Sequence, residues 1–258
     1  MVFDVRDKIC LITGAASGYG HALCDRLFGK GAKLVLVDIN LEAANALATK
    51  YNADAGEKRA IPVRADVTSV EDMRAAFDAT IKAFGQVHVV VNNAGISDSV
   101  ELDKDVNMTW KKVLDIDLNA VVLGTQLALE YMAPHGGIVV NTASVAGLVP
   151  IAVAPVYCAA KHGVIGFTKS MARYAKHNKV RVNAVAPFFT DTPLVRNNRA
   201  NNAKFDGMIK NSALIPIEWV TDAMVMCIED ESLVADTVAI LPRVGVRKVP
   251  KSNALPKL

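Results

Sequence analysis

Short apolar runs alternate along this chain with segments of helical length, and that alternation is the strongest constraint on its fold. The runs predict strands over residues 9–13, 33–38, 60–64, 87–92, 137–142, 181–186 and 238–241. Most are rich in Val and Ile and apolar on both faces, as strands buried within a parallel sheet are. Between them the spacing of apolar residues predicts helices over 19–29, 41–51, 70–84, 109–131, 156–175 and 218–229. Strand–helix alternation of this kind implies a doubly wound parallel sheet in a three-layer α/β/α sandwich.

No stretch rich in Pro, Gly or Ser divides the chain, and no internal repeat is present. One α/β domain over 1–242 is therefore expected, followed by a basic tail over 243–258. That tail carries Arg243, Arg247, Lys248, Lys251 and Lys257 without an acidic residue. Residues 190–212 are polar and Asn-rich. A segment of this length after a strand forms either a short helical pair over a substrate or a surface loop.

Composition removes several classes. With 52% hydrophobic and 21% charged residues, the 258-residue chain can bury a large core and is not a disordered protein. A net charge of +3 without a clustered basic stripe argues against nucleic-acid binding. Cys10, Cys24, Cys158 and Cys227 form no C-x-x-C pair and no metal-ligand cluster, so they read as reduced core residues and no metal is expected. Asp4, Arg6, Asp7 and Lys8 interrupt the N-terminus before an apolar run develops, so no secretory leader is expected. The weakly charged stretch 138–160 contains Asn141, Pro150 and Pro155, which suits a strand, a loop and a helix start rather than a membrane span. A cytoplasmic location follows as the expectation.

The first strand runs directly into Thr13-Gly14-Ala15-Ala16-Ser17-Gly18-Tyr19-Gly20, and a helix pattern follows. Glycines at such a turn let the backbone approach a pyrophosphate, and the helix N-terminus then faces the phosphate charge. Strand, glycine loop, helix and second strand in this order make the Rossmann-type dinucleotide reading specific. The second strand ends at Asp38, 18 residues after Gly20. A carboxylate there can accept both ribose hydroxyls and repels a 2′-phosphate. No Arg or Lys in the glycine loop or at residues 39–49 offsets that repulsion, so NAD is expected rather than NADP. Asp66-Val67 after the third strand can reach the adenine, and Asn92-Asn93-Ala94-Gly95 after the fourth gives small residues where the chain passes the cofactor.

Tyr157 and Lys161 stand at i and i+4 on a predicted helix, on one face, with Ser144 thirteen residues before the tyrosine. A nearby ammonium favours the phenolate and so lowers a tyrosine pKa of about 10. A tyrosine tuned in this way can serve as a general base near neutral pH.

In their order and spacing, Thr13–Gly20, Asp66, Asn92–Gly95, Ser144, Tyr157 and Lys161 resemble the short-chain dehydrogenase/reductase family, over the chain from Val5 to about Leu241. The resemblance implies roles by position. Tyr157 would be the general acid/base, Lys161 would tune it and bind the nicotinamide ribose, and Ser144 would hydrogen-bond the substrate oxygen. Gly14, Ser17, Gly18, Tyr19, Gly20, Asp38, Ile39, Asp66, Val67, Asn93, Ala94, Gly95, Pro187, Thr190 and Thr192 would contact the cofactor together with Tyr157 and Lys161. Ala154 and Phe188 would line the substrate pocket with Ser144 and Tyr157. Helices 109–131 and 156–175 would pair in a homodimer, with a homotetramer as the alternative.

The chain departs from the family pattern at two informative places. Asp117 stands where the family usually has an asparagine that feeds a proton relay to the lysine. Asn119, two residues on, faces about 200° away on a helix. An ionised Asp117 would stabilise the Lys161 ammonium, oppose a Tyr157 phenolate and raise the pH optimum. Phe188 follows Pro187 where the family has glycine, which adds bulk and disfavours positive φ.

The expected activity is NAD-dependent interconversion of a secondary alcohol and a ketone on an apolar molecule of lipid-like, terpenoid or polyketide type. Two other readings stay open at this level. One is a non-redox isomerisation or cyclisation on the same fold, motivated by Asp117 and Phe188. The other is an NAD-binding regulatory protein with little turnover.

Overall fold

The computed structural model describes residues 3–98, 100–133, 135–210 and 212–250. Successive strand residues point into two different apolar layers, so the sheet is buried on both faces. In β1 (Ile9–Thr13), Cys10 and Ile12 pack on one side and Ile9 and Leu11 on the other. The first layer receives α1 (Gly18–Gly29) through Leu23 and Leu27, and α2 (Leu41–Ala55) through Tyr51. The second receives α3 (Val70–Phe84) through Met73 and Phe77. Burying such side chains fully stabilises by about 1.5–3 kcal/mol each.

Helix ends are set locally. Ser69 accepts the Asp72 amide at 3.0 Å to start α3, and Gly85, at φ +84°, ends it. Asn40 caps α2 through the Ala43 amide at 3.1 Å.

The remaining strands are β2 (Lys33–Asp38), β3 (Ala60–Arg64), β4 (Val89–Asn92), β5 (Gly137–Thr142), β6 (Val180–Pro187), β7 (Thr237–Leu241) and β8 (Gly245–Lys248). Their order is β3-β2-β1-β4-β5-β6-β7-β8, parallel from β3 to β7. Strand order reverses between β1 and β4, which opens a crevice at the carboxyl ends of the strands.

β8 lies within the stretch expected to be a tail. It turns back through Arg243, at φ +63°, and pairs antiparallel with β7, Val238 opposite Lys248. Lys248 Nζ reaches Asp236 Oδ2 at 3.1 Å. Basic side chains on a short outer strand also protect the sheet edge. Lys251 and Lys257 lie outside the described residues.

The helix expected over 109–131 is interrupted. α4 (Trp110–Leu114) passes into one π-helical turn, Asp115–Asn119, before α5 (Ala120–Met132). The helix expected over 156–175 is α6 (Pro155–Lys169) and a separate α7 (Ala172–His177). The Asn-rich segment forms a helical pair, α8 (Pro193–Asn201) and α9 (Ala203–Lys210), ahead of α10 (Ile217–Glu229). Among the described residues no helix is long and apolar enough to cross a membrane.

Candidate active site

The carboxyl ends of β1, β4, β5 and β6 converge on one cleft of about 1010 Å³, counted with its open mouth. Its walls include Gly14, Ser17, Gly18, Tyr19, Asn93, Ala94, Gly95, Asp117, Ser144, Ala154, Tyr157, Lys161, Pro187, Phe188, Thr190 and Thr192. Gly20, Asp38, Ile39, Asp66 and Val67 are not part of that wall. Gly20 sits beneath it, and the other four lie at or just past the ends of β2 and β3.

The glycines leave a shaped cradle. Gly14 and Gly18 have φ of +62° and +52°, and a Cβ at Gly14 would approach Ala94 Cα to 3.0 Å. A Cβ at Gly20 would run into the Gly14 carbonyl. Asn93 locks the loop against β4, its Nδ2 donating to Thr13 O at 3.0 Å and Gly14 O at 3.3 Å. Thr13 Oγ1 accepts the amides of Asn93 and Ala94 at 2.9 and 3.1 Å. Behind them, buried Asn92 donates to Asn141 Oδ1 at 2.9 Å, and Asn141 donates to Thr168 Oγ1 at 3.1 Å.

Asp38 holds the second strand to the loop. Its Oδ2 accepts the Ala16 amide and its Oδ1 the Asn40 amide, both at 2.9 Å. A carboxylate has about four lone-pair sites, so about two remain for a ligand. Ile39 beside it is 63% exposed, an apolar surface left open next to a carboxylate. Asp66 accepts from the Thr68 amide and hydroxyl at 2.9 and 2.7 Å, and these bonds hold its carboxyl below the usual range. The cradle, the free lone pairs of Asp38 and the open face of Ile39 fit a dinucleotide whose ribose carries no 2′-phosphate.

The opposite wall holds the ionisable groups. Lys161, 3% exposed, donates from Nζ to Thr142 O at 3.0 Å and to Asp117 Oδ1 at 3.2 Å. Its Nζ lies 5.4 Å from the Tyr157 ring centre. Asp117 is fully buried in the π-turn, which turns it inward, and its Oδ1 also accepts the Ile96 amide at 3.2 Å. Oδ2 has no hydrogen-bond partner among the described residues. Burial pushes the Asp117 carboxyl up to about 6 against the pull of Lys161. Gly95 makes this approach possible, since a Cβ there would come within 2.6 Å of Asp117 Oδ1. Asn119 is exposed and bonds Asp115 Oδ1 at 2.9 Å.

Tyr157 departs from the expectation of a lowered pKa. Burial pushes its phenol far above the ordinary value, the Asp117 charge pushes further, and a hydrogen bond with Ser144 acts in the opposite direction. The ammonium is drawn toward Asp117 and Thr142, so burial dominates. Ser144 Oγ also accepts the Ala146 amide at 3.1 Å. Burial likewise raises Tyr19 to about 12, opposed by its hydrogen bond with Thr190.

Phe188 occupies its position without a left-handed backbone, since the described non-glycine residues with positive φ are Asp7, Met108, Lys179, Ala235 and Arg243. Its amide continues the sheet to Ile240 O at 2.9 Å. Thr192 caps α8 through the Val195 amide at 3.4 Å, and Thr190 donates to Phe188 O at 3.3 Å.

Asp98 has no sequence marker. Its Oδ2 accepts the Val156 amide at 3.1 Å and its Oδ1 the Tyr157 amide at 2.9 Å. It thereby caps α6, whose own N-cap residue, Ala154, offers no side-chain acceptor. That missing cap before Pro155 is the only signal in the sequence that an acceptor has to come from elsewhere. Phe189 and Phe205, which also line the cleft, carry no sequence signal at all.

Residues 8–203 match the family model described as short chain dehydrogenase. The chain is 35% identical over 257 residues to the 15-hydroxyprostaglandin dehydrogenase [NAD(+)] of Bos taurus, covering 94% of each. It is 39% identical over 191 residues to the cyclohexanol dehydrogenase of Acinetobacter sp. (strain SE19), covering 73% of this chain and 75% of that one. The crystal structure of levodione reductase superposes with a TM-score of 0.83 at 31% identity, covering 92% of this chain and 96% of that one. Glycine cradle, strand order and sequence agree, and the chain belongs to the short-chain dehydrogenase family.

Proposed function

We propose that this chain is an NAD-dependent oxidoreductase that interconverts a secondary alcohol and a ketone on an apolar small molecule. The observation that carries the reading is the meeting of Ser144, Tyr157 and Lys161 on one wall of a cleft whose other wall is the glycine cradle. The NAD-linked and alcohol-oxidising names of its relatives support it.

When bound, NAD supplies the hydride acceptor or donor and, oxidised, a positive charge in the cleft. Ser144 orients the reacting oxygen by a hydrogen bond, and Tyr157 Oη exchanges the proton with that oxygen. Lys161, tied to Thr142 O and Asp117, holds positive charge beside the ring. With its phenol held neutral by burial, Tyr157 is ready to protonate a ketone oxygen. Alcohol oxidation needs the phenolate, so this direction gains with rising pH. Asp38 selects NAD by charge, and Asp66 flanks the adenine side.

A homodimer built on α4–α5 and α6, in a cytoplasmic setting, belongs to the same reading. The exposed apolar Val122 on α5 supports the interface. Sedimentation showing only monomer at micromolar concentration would remove it.

The experiment is NADH formation with a panel of secondary alcohols. Stoichiometric NADH and ketone support the reading. Substrate conversion without net NADH would point to isomerisation or cyclisation, and NAD binding without any conversion to a regulatory protein.

A further inference from the structure

A second, apolar chamber opens directly off the reacting centre. It is lined by Ser144, Val145, Val149, Met208 and Ser212, and shares Ile151, Pro187, Phe188 and Phe189 with the main cleft. Ser144 therefore stands between two spaces. In the main cleft Phe189 packs edge-on against Phe188, at 4.9 Å and 66° between rings, and against Phe205, at 5.7 Å and 89°. These three rings form an apolar wall of the main cleft, and two of them, Phe188 and Phe189, also line the chamber.

Neither space offers a free charge. Among the described lining residues, Asp117 and Lys161 are the charged side chains, and they are paired with each other. The helical pair above carries four basic side chains. Arg196 is paired with Asp191, Arg199 and Lys210 with Asp206, and Lys204 with Glu101. A substrate carboxylate entering here would lose water and meet no unengaged cation, which is unfavourable.

We infer that the substrate is an uncharged secondary alcohol, or the matching ketone, whose carbinol carbon lies beside the Phe188–Phe189–Phe205 wall and whose hydrocarbon substituent fills the chamber under Met208. The inference rests on the proposed oxidoreductase reading for the role of Ser144, but binding tests it independently of turnover. Each methylene buried in the chamber raises affinity roughly fourfold.

The experiment is isothermal titration calorimetry of the full chain with saturating NADH at pH 8. The probes are cyclohexanol, 4-tert-butylcyclohexanol and 4-hydroxycyclohexanecarboxylate, run on wild type, Met208→Trp and Val149→Trp. The expected result is at least tenfold tighter binding of the tert-butyl compound than of the carboxylate. Either tryptophan should weaken the tert-butyl compound at least tenfold and leave cyclohexanol within twofold. Comparable or tighter binding of the carboxylate would overturn the inference, as would indifference of the tert-butyl compound to both tryptophans. Binding as expected without NADH formation from NAD would instead count against the oxidoreductase reading alone.

Discussion

Lys161 Nζ lies 3.2 Å from Asp117 Oδ1, and both side chains are shut away from solvent. A buried pair of this kind contributes little net stability, but removing one partner leaves an expensive charge. Its importance is chemical, because the carboxylate that holds the ammonium also disfavours a phenolate at Tyr157. Asp117→Asn keeps an oxygen for Lys161 and removes the opposing charge. The variant is expected to fold and to shift the rising limb of the alcohol-oxidation profile to lower pH. A profile of kcat against pH identical to wild type would remove Asp117 from the proton chemistry.

The same carboxyl makes a stability prediction. Its folded pKa, about 6, lies above the ordinary 3.8. Between those values the folded state binds more protons than the unfolded one, so this group's contribution falls as pH rises from about 4 to about 6. Asp117→Asn has no such term. Its stability relative to wild type is therefore expected to increase across that window in urea titrations, and a constant difference would contradict the assignment.

Asp98 positions Tyr157 through the backbone of α6. Asp98→Ala removes two acceptors from the first turn and costs about 1 kcal/mol in stability. The larger effect is expected on kcat, roughly tenfold down, because the phenol loses its registration with Ser144. Cofactor affinity should hold, and Asp98→Asn, which keeps one acceptor but sets its Nδ2 against the other amide, should restore part of the rate. An equal loss in both variants, or a change confined to KM, would argue for a different role.

Asp38→Asn tests cofactor choice. Losing charge-assisted bonds to the ribose is expected to weaken NADH about tenfold or more and to narrow the preference over NADPH, read by cofactor fluorescence. Unaltered selectivity would mean that the carboxylate serves only Ala16 and Asn40.

Much of this architecture is legible in the chain itself. β1 and β2 begin and end where their apolar runs do, because strands buried on both faces leave an uninterrupted apolar signature, and the half-buried outer strand β3 keeps its expected bounds as well. The glycine loop is legible because its glycines answer to sterics, at Gly14 and Gly20 most of all. Features decided by distant partners are not. The π-turn at Asp115–Asn119 carries no local marker, and neither does the meeting of Asp98 with α6. Spacing alone gives the wrong pKa direction for Tyr157, since the i, i+4 rule brings Lys161 close but says nothing of burial or of Asp117. β8 was hidden because its exposed basic residues read as a tail, although an edge strand needs only backbone pairing on one side.

Glycines give a controlled pair of tests. A Cβ at Gly124 would run into Asn92 Oδ1 and break the Asn92–Asn141–Thr168 chain, whereas Gly166 in α6 has open space around it. Gly124→Ala should destabilise by about 1–3 kcal/mol. Gly166→Ala should stabilise by about 0.4–1 kcal/mol. Thermal unfolding moving both the same way would contradict the packing described.

The central claim is that Tyr157 moves the proton while the cradle and Asp38 hold the cofactor. It is tested most directly by following NADH fluorescence on mixing NAD and a cyclic secondary alcohol with wild type and with Tyr157→Phe. The account predicts NADH from wild type, a loss of about 10²–10⁴-fold in the variant, and NADH binding within a few-fold of wild type in both. A variant that turns over at the wild-type rate, or one that loses cofactor binding along with activity, would contradict it.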